Sequence, residues 1–232
     1  MDLATFFEAV RTESVPNLGT LVYQYLQEEI IELRMAPGQK INIATISKTL
    51  DLSRTPVRTA LSQLIDEGLV EETDAAGFRV KPLLLHDYMA LCDIRRILES
   101  NAAYIATAMA SDDELRELKA VVEKARECRL NQDYSGFADA DAQFHNLIIS
   151  MTRNEYMVSA YRNIQSDVRR YRFACSHFRK SACEEDTKHA LGAHVAIYRA
   201  MKNKFASVAR EVMECHINHT SQTVIDLSWD LR

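Results

Sequence analysis

The sequence predicts a mainly α-helical protein: an N-terminal winged helix-turn-helix followed by an antiparallel bundle of six to seven helices. Three observations carry this. Helix breakers are scarce, with 6 Gly and 4 Pro in 232 residues, and the Pro lie before residue 83. Turn and strand signals cluster in the same first third. Beyond them, apolar residues recur at helical spacing to the end of the chain.

Taken in order, residues 1–17 end in the breaker cluster Ser14-Val15-Pro16-Asn17 and read as an arm or one short helix. From Leu18 to Leu33, the positions Leu21, Tyr25, Ile30 and Leu33 share a helical face, and Ala36-Pro37-Gly38 stops that helix. Ile41 and Ile43 bracket a short extended piece. Asn42 can cap a helix over about 43–50 with Ile43, Ile46 and Leu50 inward.

Leu50 to Val70 is the pivotal stretch. Ser53 is a suitable N-cap, and Arg54, Thr55 and Arg58 crowd the first turns with no acid before Asp66. Val57, Leu61, Leu64 and Ile65 give one buried face, and Gly68 lies where a left-handed cap belongs. Cations and hydroxyls at a helix N-terminus with a buried back suit a DNA major groove. Alone, the same helix reads equally well as an ordinary amphipathic one. Leu69, Val70, Phe78 and Val80 then supply two short strands, joined by a turn around Asp74 to Gly77.

Pro82 marks the boundary, giving an arm at 1–17, a winged head at 18–82 and a helical domain at 83–232. In the first long helix Tyr88, Leu91, Ile94, Leu98, Ala102 and Ile105 lie on one face or adjacent faces. Ser111 restarts a second helix with Leu115, Leu118 and Val122 inside. Further helices follow at about 135–152, 154–175, 184–201 and 205–227, the polar Ser176–Cys183 link separating the fourth from the fifth.

Composition narrows the function classes. A net charge of −5 means that any basic surface is local. The five cysteines are scattered without a Cys-x-x-Cys pair, no signal peptide opens the chain, and no apolar run approaches the ~18 residues of a membrane span. These features imply reduced thiols and a cytoplasmic location.

The run from Met35 to Val80 resembles the DNA-binding head of the GntR family of bacterial transcription regulators. Pro37-Gly38 ends the first helix, Ser53-Arg54-Thr55-Pro56-Val57-Arg58 opens the recognition helix, and Glu67-Gly68-Leu69-Val70 leads into the wing. By that resemblance Arg54 and Arg58 read bases and phosphates beside Ser53 and Thr55, and wing residues near Gly77 follow the minor groove. The sequence departs from many relatives at Ile43-Ala44, where they carry a charged pair. Arg95-x-x-Leu98-Glu99 resembles the FCD effector domain of the FadR subfamily.

Asp141 and His145 are four apart on one helix and point the same way, with His194 and His216 on two later helices. By residue type alone, the Asp/His pair is also an ordinary polar pair on a helix face. Metal-binding FCD domains carry Asp-x-x-x-His in the third bundle helix and one His in each of the last two, and Asp141, His145, His194 and His216 match. The resemblance implies a divalent metal, zinc first, with nickel, manganese or iron able to use the same ligands. An effector carboxylate can take an open position, with Arg95 as its bidentate partner; Arg95 can equally pair with Glu99 one turn away. Arg169 and Arg172 can also face the pocket but read first as a solvated face, His219 reads as a competing ligand, and Cys215 as a buried thiol.

The expected function is a ligand-responsive transcription regulator, in the first instance a repressor. It binds double-stranded operator DNA as a homodimer formed through the helical domain, as the resemblance implies. Two alternatives remain open on sequence: a metal-dependent enzyme fused to a DNA-binding head, and a regulator whose metal is purely structural. No nucleophile motif or glycine-rich phosphate loop supports the enzyme.

Overall fold

The computed structural model describes residues 5–6, 8, 17–74, 77–178 and 183–230. Most of the expected N-terminal arm and the tip of the wing, residues 75–76, lie outside them. The chain falls into two compact units, Met1–Leu83 and Leu84–Arg232.

The first unit opens on α1 (Leu18–Ile31), capped by the Asn17 side chain, which accepts the Gly19 amide at 2.8 Å. This helix ends before Leu33, which takes φ 57° in the turn, so the inward face is completed by Ile31. Of the arm, Phe6 is fully buried and stands 5.6 Å from the Tyr25 ring. After β1 (Lys40–Ile41), Asn42 caps α2 (Ile43–Thr49) by accepting the Ala44 and Thr45 amides. The chain then turns into α3 (Arg54–Asp66).

Helix α3 ends as its sequence requires. Gly68 takes φ 73°, its amide reaches the Ile65 carbonyl, and the Leu69 amide reaches Leu64. This paired closure needs a left-handed residue that only glycine adopts without strain. Val57, Ala60, Leu61 and Leu64 are buried, against Leu21, Val22, Leu26 and Ile30 of α1, while Ile65 is only half-buried. Strands β2 (Val70–Thr73) and β3 (Gly77–Val80) pair antiparallel, Val70 opposite Val80 and Thr73 opposite Gly77. The short extended piece at Lys40–Ile41 joins them, giving a three-stranded sheet of order β1-β3-β2 rather than a bare hairpin.

The second unit contains α4 (Leu85–Met109), α5 (Asp112–Leu130), α6 (Tyr134–Met151), α7 (Glu155–Phe178), α8 (Cys183–Lys202) and α9 (Ala206–Asp230). Ser111 and Glu114 form a reciprocal capping box on α5, and Asp133 and Asn154 cap α6 and α7. Helices α4 and α9 pack antiparallel: the Tyr88 hydroxyl donates to the Thr220 carbonyl near the start of α4, Arg96 bonds Asn218 at its middle, and Lys204, just before α9, donates to the Thr107 carbonyl near its end. Phe144, Ile148, Leu118, Val122, Ile197, Met213 and Ile217 fill the core between the helices.

One helix face differs from its expected position. On α4 the inward stripe runs Tyr88, Cys92, Arg95, Glu99, Ala102 and Ala106, whereas Ile94 is 39% exposed. The stripe steps by alternating fours and threes, and two of its members are charged. A reading that favours apolar positions therefore rotates the face toward Ile94.

Candidate functional site

Asp141 and His145 lie one turn apart on α6, His194 on α8 and His216 on α9, and all four are buried. One donor atom from each falls within 4.8 Å of the others. His145 Nε2 and His216 Nε2 are 3.3 Å apart, His194 Nε2 and Asp141 Oδ1 3.2 Å, and His145 Nε2 and Asp141 Oδ1 3.7 Å. Metal–ligand bonds of about 2.0–2.2 Å put adjacent donors roughly 3.0–3.5 Å apart, so this spacing fits one ion. Phe144 stacks on the His194 ring at 4.0 Å and holds its plane.

The protonation states suit ligation. Burial pushes the Asp141 carboxyl up, but Arg172 beside it and hydrogen bonds from His145 and His194 hold it well below the usual carboxylate range. Burial pushes His194 and His216 down; the two neighbouring imidazoles press His216 further, whereas the hydrogen bond to Asp141 offsets part of the shift at His194. An ionised carboxylate and uncharged imidazoles are the donor forms that a divalent ion requires. The Nδ1 atoms of His194 and His216 are buried without a hydrogen-bond partner among the described residues.

A second layer surrounds the four. The Nδ1 of His145 faces Glu99 Oε2 in a short contact, and Arg95 Nε donates to Glu99 Oε1 at 2.6 Å. Arg95 and Glu99 are each 1% exposed. Burial opposes ionisation of Glu99, but Arg95 and then His145 hold its carboxyl below the usual range. Of the two readings of Arg95, the structure contains the pair with Glu99. Arg172, expected in solvent, instead contacts Asp141 Oδ2 and is 14% exposed, whereas Arg169 faces solvent near Asp139. Tyr161 on α7 is buried within electrostatic reach of Arg95, Glu99, Arg172 and Asp141; burial and the Glu99 charge push its phenol up, so the hydroxyl keeps its proton.

Of these residues, Tyr161 leaves no signal in the sequence. Glu99 leaves one, four residues after Arg95 on the same helix, and Arg172 is one of two arginines that the sequence allows to face the pocket. The remaining histidines stand apart. His219 stacks on His189 at 3.5 Å rather than joining the cluster, His86 is exposed beside Asp87, and the His177 side chain is outside the described residues. Cys215 is exposed, not buried, because the inward side of α9 there is occupied by Met213, His216 and Ile217.

In the first unit, Ser53, Arg54, Thr55 and Arg58 are all exposed at the start of α3. Ser53 holds the N-cap position, with φ −68° and ψ 165°, but its hydroxyl accepts no amide of the helix. An exposed hydroxyl can bond water instead, so the cap bond is not compelled. The first-turn amides, with no acid beside them, are left open to an anion. Gly77 sits at the first position of β3, opposite Thr73. A side chain there would press on the Thr73 hydroxyl, since a Cβ would lie 3.1 Å from it.

The helical unit matches the FCD domain over residues 90–219, and the first unit matches the description "Bacterial regulatory proteins, gntR family" over residues 18–80. The chain is 30% identical to the Nta operon transcriptional regulator of Aminobacter aminovorans over 145 residues, 60% of this chain and 66% of that one. It is 22% identical to the HTH-type transcriptional repressor RspR of Escherichia coli K12, covering 88% of this chain and 87% of the repressor. The solved structure of E. coli McbR/YncC superposes with a TM-score of 0.74 at 19% identity, covering 94% of this chain and all of that one. Both named relatives are regulators, not enzymes.

Proposed function

The chain belongs to the FCD-domain regulators of the gntR family, and from that membership we propose that it is a metal-dependent, ligand-responsive repressor. The winged unit, 18–82, reads operator DNA through Arg54, Thr55 and Arg58, with Ser53 beside the backbone and Gly77 in the wing. The helical unit, 83–232, holds a divalent ion, zinc in the first instance, on Asp141, His145, His194 and His216. A small carboxylate binds at that ion and biases how two heads of a homodimer engage the operator, a population shift rather than chemistry. The protein acts in the cytoplasm, in keeping with the finding that no helix among the described residues is long and apolar enough to cross a membrane.

The observation that carries the proposal is the convergence of four buried donor atoms from three helices. When bound, the ion supplies a Lewis-acidic anchor for an anionic ligand. The residues of this chain do the rest: Glu99 fixes the His145 ring, Phe144 fixes His194, and Arg172 holds the second oxygen of Asp141. The test is metal analysis of purified wild type, His145→Ala and His194→Ala, followed by operator binding with candidate carboxylates present. Equal metal content in all three proteins would sink the metal assignment. Metal lost without any change in effector response would mark the ion as purely structural.

A further inference from the structure

The four donors are buried, so an ion that exchanges with solvent needs a way in. A cavity of about 410 Å³ opens between α8 and α9, lined by His216 together with His189, Gly192 and Cys215. Gly192 keeps that wall open. It stands inside α8, where glycine costs about 1 kcal/mol against alanine. Nothing around it demands a glycine: beyond its chain neighbours and its own helical backbone, no heavy atom lies within 4 Å of where a Cβ would stand. The missing side chain leaves space in the cavity instead. On the same wall His189 of α8 stacks against His219 of α9, with ring centroids 3.5 Å apart and planes at 19°. Both side chains are exposed, so each ring can turn toward a shared ion. Partial burial and the adjoining His219 hold His189 below its ordinary pKa, against the pull of Asp186 and Glu185. Imidazole donors suit zinc, nickel and copper, whereas magnesium and calcium prefer oxygen.

Resting on the metal site proposed above, we infer that the ion reaches its ligands through this cavity, and that His189 and His219 form an outer site that captures a transition-metal ion on its way in. The outer pair is exposed and offers two donors, so it holds the ion weakly and gives it up. The inner four are buried and convergent, and hold it tightly. His216 belongs both to the cavity wall and to the inner set, so an incoming ion meets it first. Capture matters because an ion held beside the inner site acts there at an effective concentration on the order of millimolar, far above that of free zinc.

Metal-free full-length protein is mixed with zinc carried on a chromophoric chelator, and transfer is followed by stopped flow. Gly192→Leu fills the cavity without touching a ligand and should slow zinc uptake and zinc release by the same factor, leaving the equilibrium affinity as in wild type. Gly192→Ala adds only a Cβ and should exchange zinc at close to the wild-type rate. Both replacements favour the helix, so both should fold, which thermal melting of the metal-free proteins checks. The double variant His189→Ala/His219→Ala should take up zinc about tenfold more slowly, with the final inner-site affinity unchanged. Zinc-loaded wild type should also bind a second zinc ion weakly, and the double variant should not. Wild-type exchange rates in Gly192→Leu would overturn the route. Wild-type uptake in the double variant, or no second ion in wild type, would overturn the capture site. Failure of the underlying metal reading looks different: His194→Ala would then hold as much zinc as wild type, whatever the rates.

Discussion

Glu99 on α4 holds the Nδ1 side of His145 on α6, while the Nε2 of the same ring faces the other three donors. A carboxylate behind a ligating imidazole fixes its tautomer and raises its basicity, and such partners are worth about 10–100-fold in metal affinity. Glu99→Gln keeps the shape and removes the charge. Zinc affinity, measured by competition with a chromophoric chelator, should fall by about that factor with helix content unchanged. An unchanged affinity would show that the contact orients nothing.

Metal removal should cost stability. An ion that binds only the folded state at one hundred times its Kd contributes about 2.7 kcal/mol. For a unit of this size that corresponds to a fall of roughly 5–10 °C in Tm on chelation. Differential scanning calorimetry with and without chelator, then with zinc restored, reads the shift and its reversal.

The metal-free protein should weaken on acidification. His194 and His216 have folded pKa values below the ordinary one, so the unfolded chain binds more protons than the folded one. Their contribution is fully present above the unfolded histidine value of about 6.5 and is lost as pH falls below it. Asp141 and Glu99, also lowered, add a loss of the same sign below about 4. The Tm of chelated protein should therefore drop steadily between pH 7.5 and 5. A Tm that is flat or rises over that range would mean that these imidazoles are not buried uncharged.

Arg54→Ala tests the DNA reading separately. Arg54 is exposed, so circular dichroism should be unchanged. Loss of a bidentate contact to guanine should cost about 1–3 kcal/mol of operator discrimination, read by fluorescence anisotropy on matched and mismatched duplexes. Equal affinity for both proteins would remove Arg54 from the interface.

Much of this architecture could be read from residue order, and the reasons are specific. Gly68 and Asn42 occupy helix ends whose chemistry is local, so their roles follow from their neighbours alone. The spacing of Asp141 and His145 placed both on one face. His194 and His216 came from the family pattern, since nothing local links helices so far apart in sequence. Arg172 reads first as solvated, and Glu99 only as the partner of Arg95, because nothing local shows that Asp141 and His145 of another helix face them. Ser53 shows the converse: its sequence position is right for a cap, yet solvent competes for its hydroxyl.

The buried stripe of α4 also fixes alignment. An all-apolar stripe would let one helix slide past its neighbour by a turn, 5.4 Å, with little change in the surface buried. With Arg95 and Glu99 in that stripe and His145 opposite, a one-turn slip would strand a carboxylate against aliphatic side chains. Only one registration of α4 on α6 is therefore tolerated. The ionic pair behaves as a dowel through two boards: it does little to press them together, but it dictates where they meet.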